Sequence, residues 1–367
     1  MVVAFVLLLC GAFLMWRIPL LPEGKQVRDT DSKCSSQVSI IVPMRNEEHS
    51  IPTLLKSLQG QLGPVRELIA VDDGSADNGA ALAQQFGAIV VQVPAVPQGW
   101  TGKSWACWTG AVQSSGELLL FLDADTFLEP GGLQRILAAY RNKAGLVTVQ
   151  PFHVTVKAYE QLSAIFNIVS MAGVNAFTLL GDMLRPHGAF GPCMICSRED
   201  YFSTGGHAAV RNKVLEDLAL AALFSRNGHS VSCYGGRGAI NFRMYPQGLF
   251  QLIEGWSKNI SAGALSIRCW ITGLIVAWVT GALGAFVRAV GLLFPSTAAA
   301  GGCWLAICCL YALEIRWILR RIGRFRWWAW ALYPLPMLFF CAIVLYSLFS
   351  VVIIGRVRWK GRIVKTG

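Results

Sequence analysis

The chain has 367 residues, of which 54% are hydrophobic and 14% charged, against about 25% charged in ordinary soluble domains, which excludes a purely soluble protein. The formal net charge of +11 is unevenly placed: residues 1–37 carry 4 basic and 3 acidic groups, residues 38–258 carry 16 and 17, and residues 259–367 carry 12 and 1. Basic charge alternating with long apolar runs suits anionic lipid headgroups, and nucleic-acid binding is excluded.

From Met1 to Trp16 there is no charge, and Arg17, Lys25, Arg28 and Lys33 come next. With neither a basic leading region nor a small-residue cleavage site, this reads as an uncleaved anchor over residues 1–22. Basic residues after the first span place the succeeding domain in the cytoplasm. Residues 38–260 have normal charge density and read as one globular domain. Its continuous β-rich runs, Val38 to Val42, Glu67 to Val71, Ala88 to Val93 and Leu118 to Leu122, alternate with helical patterns near 47–59, 77–86, 103–114 and 131–141. This predicts an α/β fold with a parallel sheet covered on both faces. Leu162 to Leu180 is apolar with polar residues interspersed, and reads either as a buried core helix or as an interfacial one.

Residues 261–355 hold three charge-free runs, Cys269 to Val287, Ala289 to Leu313 and Trp327 to Gly355, of 19, 25 and 29 residues, each long enough to cross a hydrocarbon core of about 30 Å. The arginines at 316, 320, 321, 324 and 326 and the basic tail over 356–367 should both be cytoplasmic. Either Pro334 and Pro336 break the last run into a re-entrant or hairpin element, the favoured reading, or one basic cluster is exported. Five of the eleven cysteines, Cys269, Cys303, Cys308, Cys309 and Cys341, sit in apolar runs as small hydrophobes. Cys193 and Cys196 lack a second pair at zinc spacing and read as packed thiols in a strand.

In doubly wound sheets ligands bind beyond the carboxyl ends of the strands. There the sequence places Pro43-Met44-Arg45-Asn46-Glu47 after the first strand, Asp72-Asp73-Gly74-Ser75 after the second and Asp123-Ala124-Asp125 after the fourth. Crowded carboxylates repel one another and need a cation or donors. Hard oxygen ligands without nearby histidine favour Mg²⁺ or Mn²⁺, which also bind substrate phosphates.

With VPMRNEE, DDGS at 72–75, a DxD at 123–125 and Glu216-Asp217 downstream, the chain resembles the family 2 glycosyltransferases of the A-type fold. The stretches GWTGKSWACWTGA (99–111), GPCMICSREDY (191–201), LEDLALA (215–221), RMYPQGL (243–249) and WKGR (359–362) look like its membrane-bound subgroup that includes the 4,4'-diaponeurosporenoate glycosyltransferases, whose members need not share an acceptor. The resemblance implies a Rossmann-like nucleotide-sugar-binding sheet and a multi-pass cell-membrane enzyme whose catalytic domain is cytoplasmic. Its donor would be a nucleotide sugar, UDP-glucose, and its acceptor a membrane lipid, a carotenoid-type carboxylic acid by the subgroup. Synthesis of another glycolipid, on polyprenyl phosphate or diacylglycerol, or a non-catalytic subunit retaining the pocket, stand as alternatives.

Carried over residue by residue, the resemblance implies that Asp72 or Asp73 holds the uracil or ribose in a pocket lined by Pro43 and Glu47. Lys103 approaches the nucleotide or its diphosphate, Asp123 the ribose, and Asp125 holds the Mg²⁺ or Mn²⁺. Asp217 is the general base, with Glu216 raising its basicity. The family's Q-x-x-R-W motif is only echoed by Gln251, Glu254 and Trp256, which argues against a processive polysaccharide synthase. Glu216, His207 and Trp256 are the candidates for the acceptor side. For His207 a packed structural histidine is the alternative.

Overall fold

β-Branched and aliphatic runs bounded by polar turns form strands here because each side chain finds a packed face on one side of the pleat or the other. The computed structural model describes residues 1–23, 38–63, 65–213, 215–263, 266–293, 298–350, 356–359 and 362–365. In chain order the helices are α1 (Val2–Leu14), α2 (Ile51–Leu58), α3 (Gly79–Gln85), α4 (Gly102–Gln113), α5 (Gly132–Asn142), α6 (Ala164–Gly173), α7 (Arg198–Ser203), α8 (Gly206–Ala209), α9 (Glu216–Arg226), α10 (Leu249–Gly263), α11 (Cys269–Ala289), α12 (Ala298–Ile322), α13 (Trp327–Ala331) and α14 (Pro334–Phe349). The strands are β1 (Val38–Met44), β2 (Val65–Asp72), β3 (Ile89–Gln92), β4 (Leu118–Leu122), β5 (Thr126–Leu128), β6 (Leu146–Gln150), β7 (Phe152–Val154), β8 (Cys193–Ser197), β9 (Val231–Gly235), β10 (Ile240–Phe242), β11 (Gly323–Arg324), β12 (Arg356–Trp359) and β13 (Arg362–Lys365).

Two compact units result, one of residues 19–152 and 186–243, the other of residues 1–18, 153–185 and 244–367. The division differs from the one read in the sequence: residues 153–185 and 244–260, expected in the α/β domain, fall in the helical unit. Their apolar content suits packing among helices rather than on a sheet.

The first unit is an α/β layer structure around a seven-stranded sheet of order β3-β2-β1-β4-β8-β6-β9. Strands β1 to β4 run parallel to one another, as the sequence predicts. The sheet as a whole is mixed, because β8 runs antiparallel to both β4 and β6. Pro192, just before β8, accepts the Asp123 backbone N–H at 3.0 Å, so β8 enters the sheet at the edge where β4 leaves it. Alternate residues divide between two cores. Val38, Ile40, Val42, Leu120 and Leu122 face α2, α3 and α5, whereas Ile41, Ile69, Val71, Leu119 and Phe121 face α4, α7 and α9. Helix α4 lies so close to the sheet that a Cβ on Gly110 would come within 2.5 Å of Ile41. This fixes where its N-terminus, and Lys103, project.

In the helical unit, Cys269–Ala289 and Gly302–Ile322, 21 residues each, are long and apolar enough to cross a membrane. Helix α1 has 13 residues, about 20 Å at 1.5 Å per residue, which is shorter than the roughly 30 Å of a full span. It packs beside the two long helices instead of standing apart: Phe13 meets the Trp270 ring at 6.5 Å, Tyr311 donates to the Ala4 carbonyl at 3.3 Å, and Arg321 donates to the Met15 carbonyl at 2.8 Å. The last apolar run breaks at Leu332–Tyr333, with Pro334 opening α14. Tyr333 donates to the Ala282 carbonyl in the middle of α11 at 2.9 Å. Ser347, near the far end of α14, donates to the Ser257 carbonyl of α10 at 3.0 Å. Eight of the ten α6 residues are buried, so the segment read as core or interfacial helix is a core helix of this unit. The ten described cysteines are all free, Cys193 and Cys196 among the buried ones.

Candidate functional site

At the carboxyl edge of the sheet, two turns are stitched into one surface. Asn46 adopts φ 53°, a left-handed conformation that asparagine tolerates better than most residues. Its backbone N–H donates to Ser75 Oγ at 2.9 Å and its Oδ1 accepts from the Ala76 N–H at 2.8 Å. Asp72 Oδ1 accepts from the Ser75 N–H at 2.9 Å and from its hydroxyl at 2.5 Å, and Asp72 is 2% exposed. Of the two aspartates expected to meet the nucleotide, Asp72 is therefore engaged in shaping the turn. The Asp73 carboxylate lies 3.5 Å from Arg45 Nη1, which also donates to the Asp73 carbonyl at 3.1 Å. Pro43 and Glu47 flank the same turn; the Glu47 carbonyl accepts the N–H groups of Ser50 and Ile51 and opens α2.

The second cluster is built on α4, the β4 end and α9. Thr101 caps α4 by accepting the Ser104 N–H at 3.3 Å. This sets Lys103 in the first turn, where its Nζ reaches Asp123 Oδ1 at 2.8 Å, Asp123 Oδ2 at 2.9 Å and Glu216 Oε1 at 3.3 Å. Burial opposes the charge on Lys103, but Asp123 and then Glu216 hold its pKa well above the ordinary lysine value. The carboxylates expected to need a metal are thus compensated in part by a side-chain ammonium. Thr126 N–H and Oγ1 both donate to the Asp123 carbonyl, a tight turn that carries Asp125, whose own carbonyl accepts the Arg243 N–H at 3.2 Å.

Asp217, the second residue of α9, accepts the Gly191 N–H at 3.1 Å and the Leu218 N–H at 2.8 Å. Burial raises its pKa from 3.8 to about 6; Glu216 adds to the rise, while Lys103 and the two N–H donors oppose it. A carboxylate so placed ionises near neutrality and can accept a proton there. Gly191 leaves room for this carboxylate: a Cβ there would stand 3.0 Å from Asp217 Oδ2, and the side chain would have to shift by a few tenths of an ångström.

The structure brings Lys103, Asp123, Glu216 and Asp217 together. It does not bring His207 or Trp256 to an open surface. His207 is fully buried, with Nδ1 2.8 Å from the Tyr201 hydroxyl, and burial lowers its pKa to about 3. Trp256 is 3% exposed in the helical unit. It stacks on Phe166 at 4.7 Å, and its indole N–H donates to Ser163 Oγ at 3.0 Å. Both residues are packing partners, and neither presents a free edge to an acceptor. Arg45, Asn46 and Gly191 were not singled out from the sequence, although all three lie in the quoted strand-end stretches.

Among the described residues no three His, Cys, Asp or Glu side chains form a ready-made metal cage. A single carboxylate such as Asp125 still fits Mg²⁺ or Mn²⁺, which typically take one or two protein carboxylates and complete their shell with water and substrate phosphates.

The family model for glycosyl transferase family 2 matches residues 39–218. The 4,4'-diaponeurosporenoate glycosyltransferase of Staphylococcus aureus strain MRSA252 is 36% identical over 329 residues, covering 89% of this chain and 87% of its own; that of strain USA300 is 35% identical over the same shares. Among solved structures, glucosyl-3-phosphoglycerate synthase from Mycobacterium tuberculosis, in complex with Mn²⁺, UDP-glucose and phosphoglyceric acid, aligns at TM-score 0.47 and 21% identity. It covers 68% of this chain and 87% of that one. Sheet, strand-end motifs and full-length relatives agree: the chain belongs to glycosyl transferase family 2, as an A-type α/β glycosyltransferase similar to the 4,4'-diaponeurosporenoate enzymes.

Proposed function

We propose that this glycosyltransferase moves glucose from UDP-glucose, with inversion, to the carboxylate of a carotenoid-type lipid acid at the membrane. The names and extent of the curated relatives support the acceptor class, and the paired strand-end turns support a nucleotide donor. Asp73, held by Arg45, and the Pro43–Glu47 loop contact the uridine. Asp123 faces the ribose. Asp125 would hold Mg²⁺ or Mn²⁺, which when bound neutralises charge developing on the departing diphosphate. Asp217 takes a proton where the acceptor carries one; this reading rests on its carboxylate being poised near pH 6 by its surroundings.

The same proposal covers location. Both long helices cross the membrane. The α13–α14 element enters and returns on one side, because Tyr333 reaches mid-α11 while Ser347 reaches back to α10. The arginine-rich turn after α12 and the basic tail then share the cytoplasmic face, where activated sugars are made. The test is UDP release by purified protein offered a C30 carotenoid acid or a lipid alcohol. Release that is strongly stimulated by the acid supports the reading; stimulation by alcohols alone overturns the acceptor, and no release from any UDP-sugar overturns the enzyme.

A further inference from the structure

Lys103 stands between two groups with different tasks. Its Nζ spans the donor-side Asp123, at 2.8 and 2.9 Å, and Glu216, at 3.3 Å. Glu216, with 8% of its side chain exposed, precedes Asp217 at the start of α9. Glu216 and Asp217 are adjacent acidic residues, and carboxylates so placed repel one another unless a cation compensates. Among the described residues, the buried titratable groups beside the cluster supply no cation. Cys107 and Cys193 are buried thiols kept protonated, and His207 is buried and neutral. The Gly191 and Leu218 N–H groups touch Asp217 but carry no full charge.

We propose that Lys103 is a positioning residue whose ammonium, shared between Asp123 and Glu216, sets how basic the neighbouring Asp217 is, so that the donor side and the proton-accepting side share one cation. This goes beyond a lysine that only meets the diphosphate, and it rests on Asp217 being the base. Lys103 opposes the rise in the Asp217 pKa and Glu216 favours it, so the two deletions act in opposite directions.

The test measures UDP release from UDP-glucose against pH with water as acceptor, because water must lose a proton whatever the natural acceptor is. The full-length protein in detergent is used, with Lys103→Met, Glu216→Gln and the charge-balanced double variant. Lys103→Met should move the acid limb of kcat/KM up by about one pH unit, the low end of what a neighbouring charge achieves. Glu216→Gln should move it down, and the double variant should return it toward wild type. Lys103→Arg should restore the limb. A lysine that only binds diphosphate would raise the donor KM and lower the rate equally at every pH, leaving the limb in place, and that result overturns the proposal. Should Lys103→Met fail to fold, the double variant with Glu216→Gln alone decides: an unmoved limb in Glu216→Gln overturns it. The Asp217→Asn control separates the two levels. If that variant keeps its rate and its limb, the assignment of the base has failed; if it loses both while Lys103→Met leaves the limb fixed, only the role of Lys103 has failed.

Discussion

Replacing Asp217 by Asn removes the proton acceptor while keeping an oxygen for the Gly191 N–H, which donates to it at 3.1 Å. With its pKa at about 6, Asp217 is about nine-tenths ionised at pH 7 and about one-tenth at pH 5, so wild-type kcat/KM on a hydroxyl acceptor should fall roughly tenfold between those values. The Asn variant should lose about 10²- to 10⁴-fold on such an acceptor, the usual worth of a positioned base. On a carboxylic acid acceptor, ionised at neutral pH without help, the loss should stay below about tenfold. Stability moves the other way. The folded state binds this proton more tightly than the unfolded chain, so stability is greatest below the unfolded value of 3.8 and declines as pH rises through about 6. A shift of roughly two pKa units corresponds to a penalty on the order of 3 kcal/mol at neutral pH, less where solvent reaches the carboxylate. Asp217→Asn should therefore melt no lower than wild type at pH 7.5 and show a flatter pH dependence. UDP release and thermal unfolding across pH 4.5–8 read both effects. Equal losses of several orders of magnitude on both acceptors, or a lower melting point, would refute the reasoning.

Two further outcomes concern the helical unit. Trp256→Ala should destabilise by about 3–5 kcal/mol, as for other buried aromatic truncations, because it empties the space against Phe166 and strands Ser163. Trp256→Phe should cost much less and leave the acceptor KM unchanged; a large KM change in a fully stable Phe variant would return Trp256 to the acceptor site. Cysteines introduced at Arg326 and Ser350, the two ends of the α13–α14 element, should both react with an impermeant thiol reagent from the cytoplasmic side of sealed vesicles. Reaction from opposite sides would show a single crossing instead.

Much of the α/β unit was legible because its strands are continuous apolar runs. The predicted strand Leu118 to Leu122 is the observed β4, and the helix predicted at 103–114 is α4 displaced by one residue. The antiparallel β8 was not legible. Its sequence, CMICS, reads as an apolar strand in either direction, and it enters the sheet where Pro192 meets the Asp123 N–H, a contact between residues 69 positions apart. Among site residues, the acidic strand ends were visible as types in place, but their partners were not. That Lys103 faces Asp123 depends on how closely α4 approaches the sheet at Gly110. His207 and Trp256 misled for the opposite reason: polar edges in glycine-rich or motif-like surroundings suggest a ligand, while the fold buries both and bonds His207 Nδ1 to the Tyr201 hydroxyl and the Trp256 N–H to Ser163.

The reason for expecting a metal changes once those partners are known. Crowding of carboxylates at the strand ends suggested that a divalent cation was needed simply to hold them together. Instead, Asp72 is satisfied by Ser75, Asp73 by Arg45, Asp123 and Glu216 by Lys103, and Asp217 by two backbone N–H groups. With these acids partnered inside the fold, its stability need not depend on a divalent ion, and a metal requirement would arise with the charged diphosphate of the donor. Chelation of divalent ions should accordingly leave the melting temperature of donor-free protein unchanged within about 1 °C. It should abolish UDP release and remove most of the stabilisation that UDP-sugar confers when Mg²⁺ or Mn²⁺ is present, a stabilisation that grows with ligand concentration over Kd. Asp125→Ala should reproduce the second effect without the first. A large fall in melting temperature on chelation, with no donor present, would mean that the acidic edge itself is held by a metal and that the Lys103 pairing is insufficient.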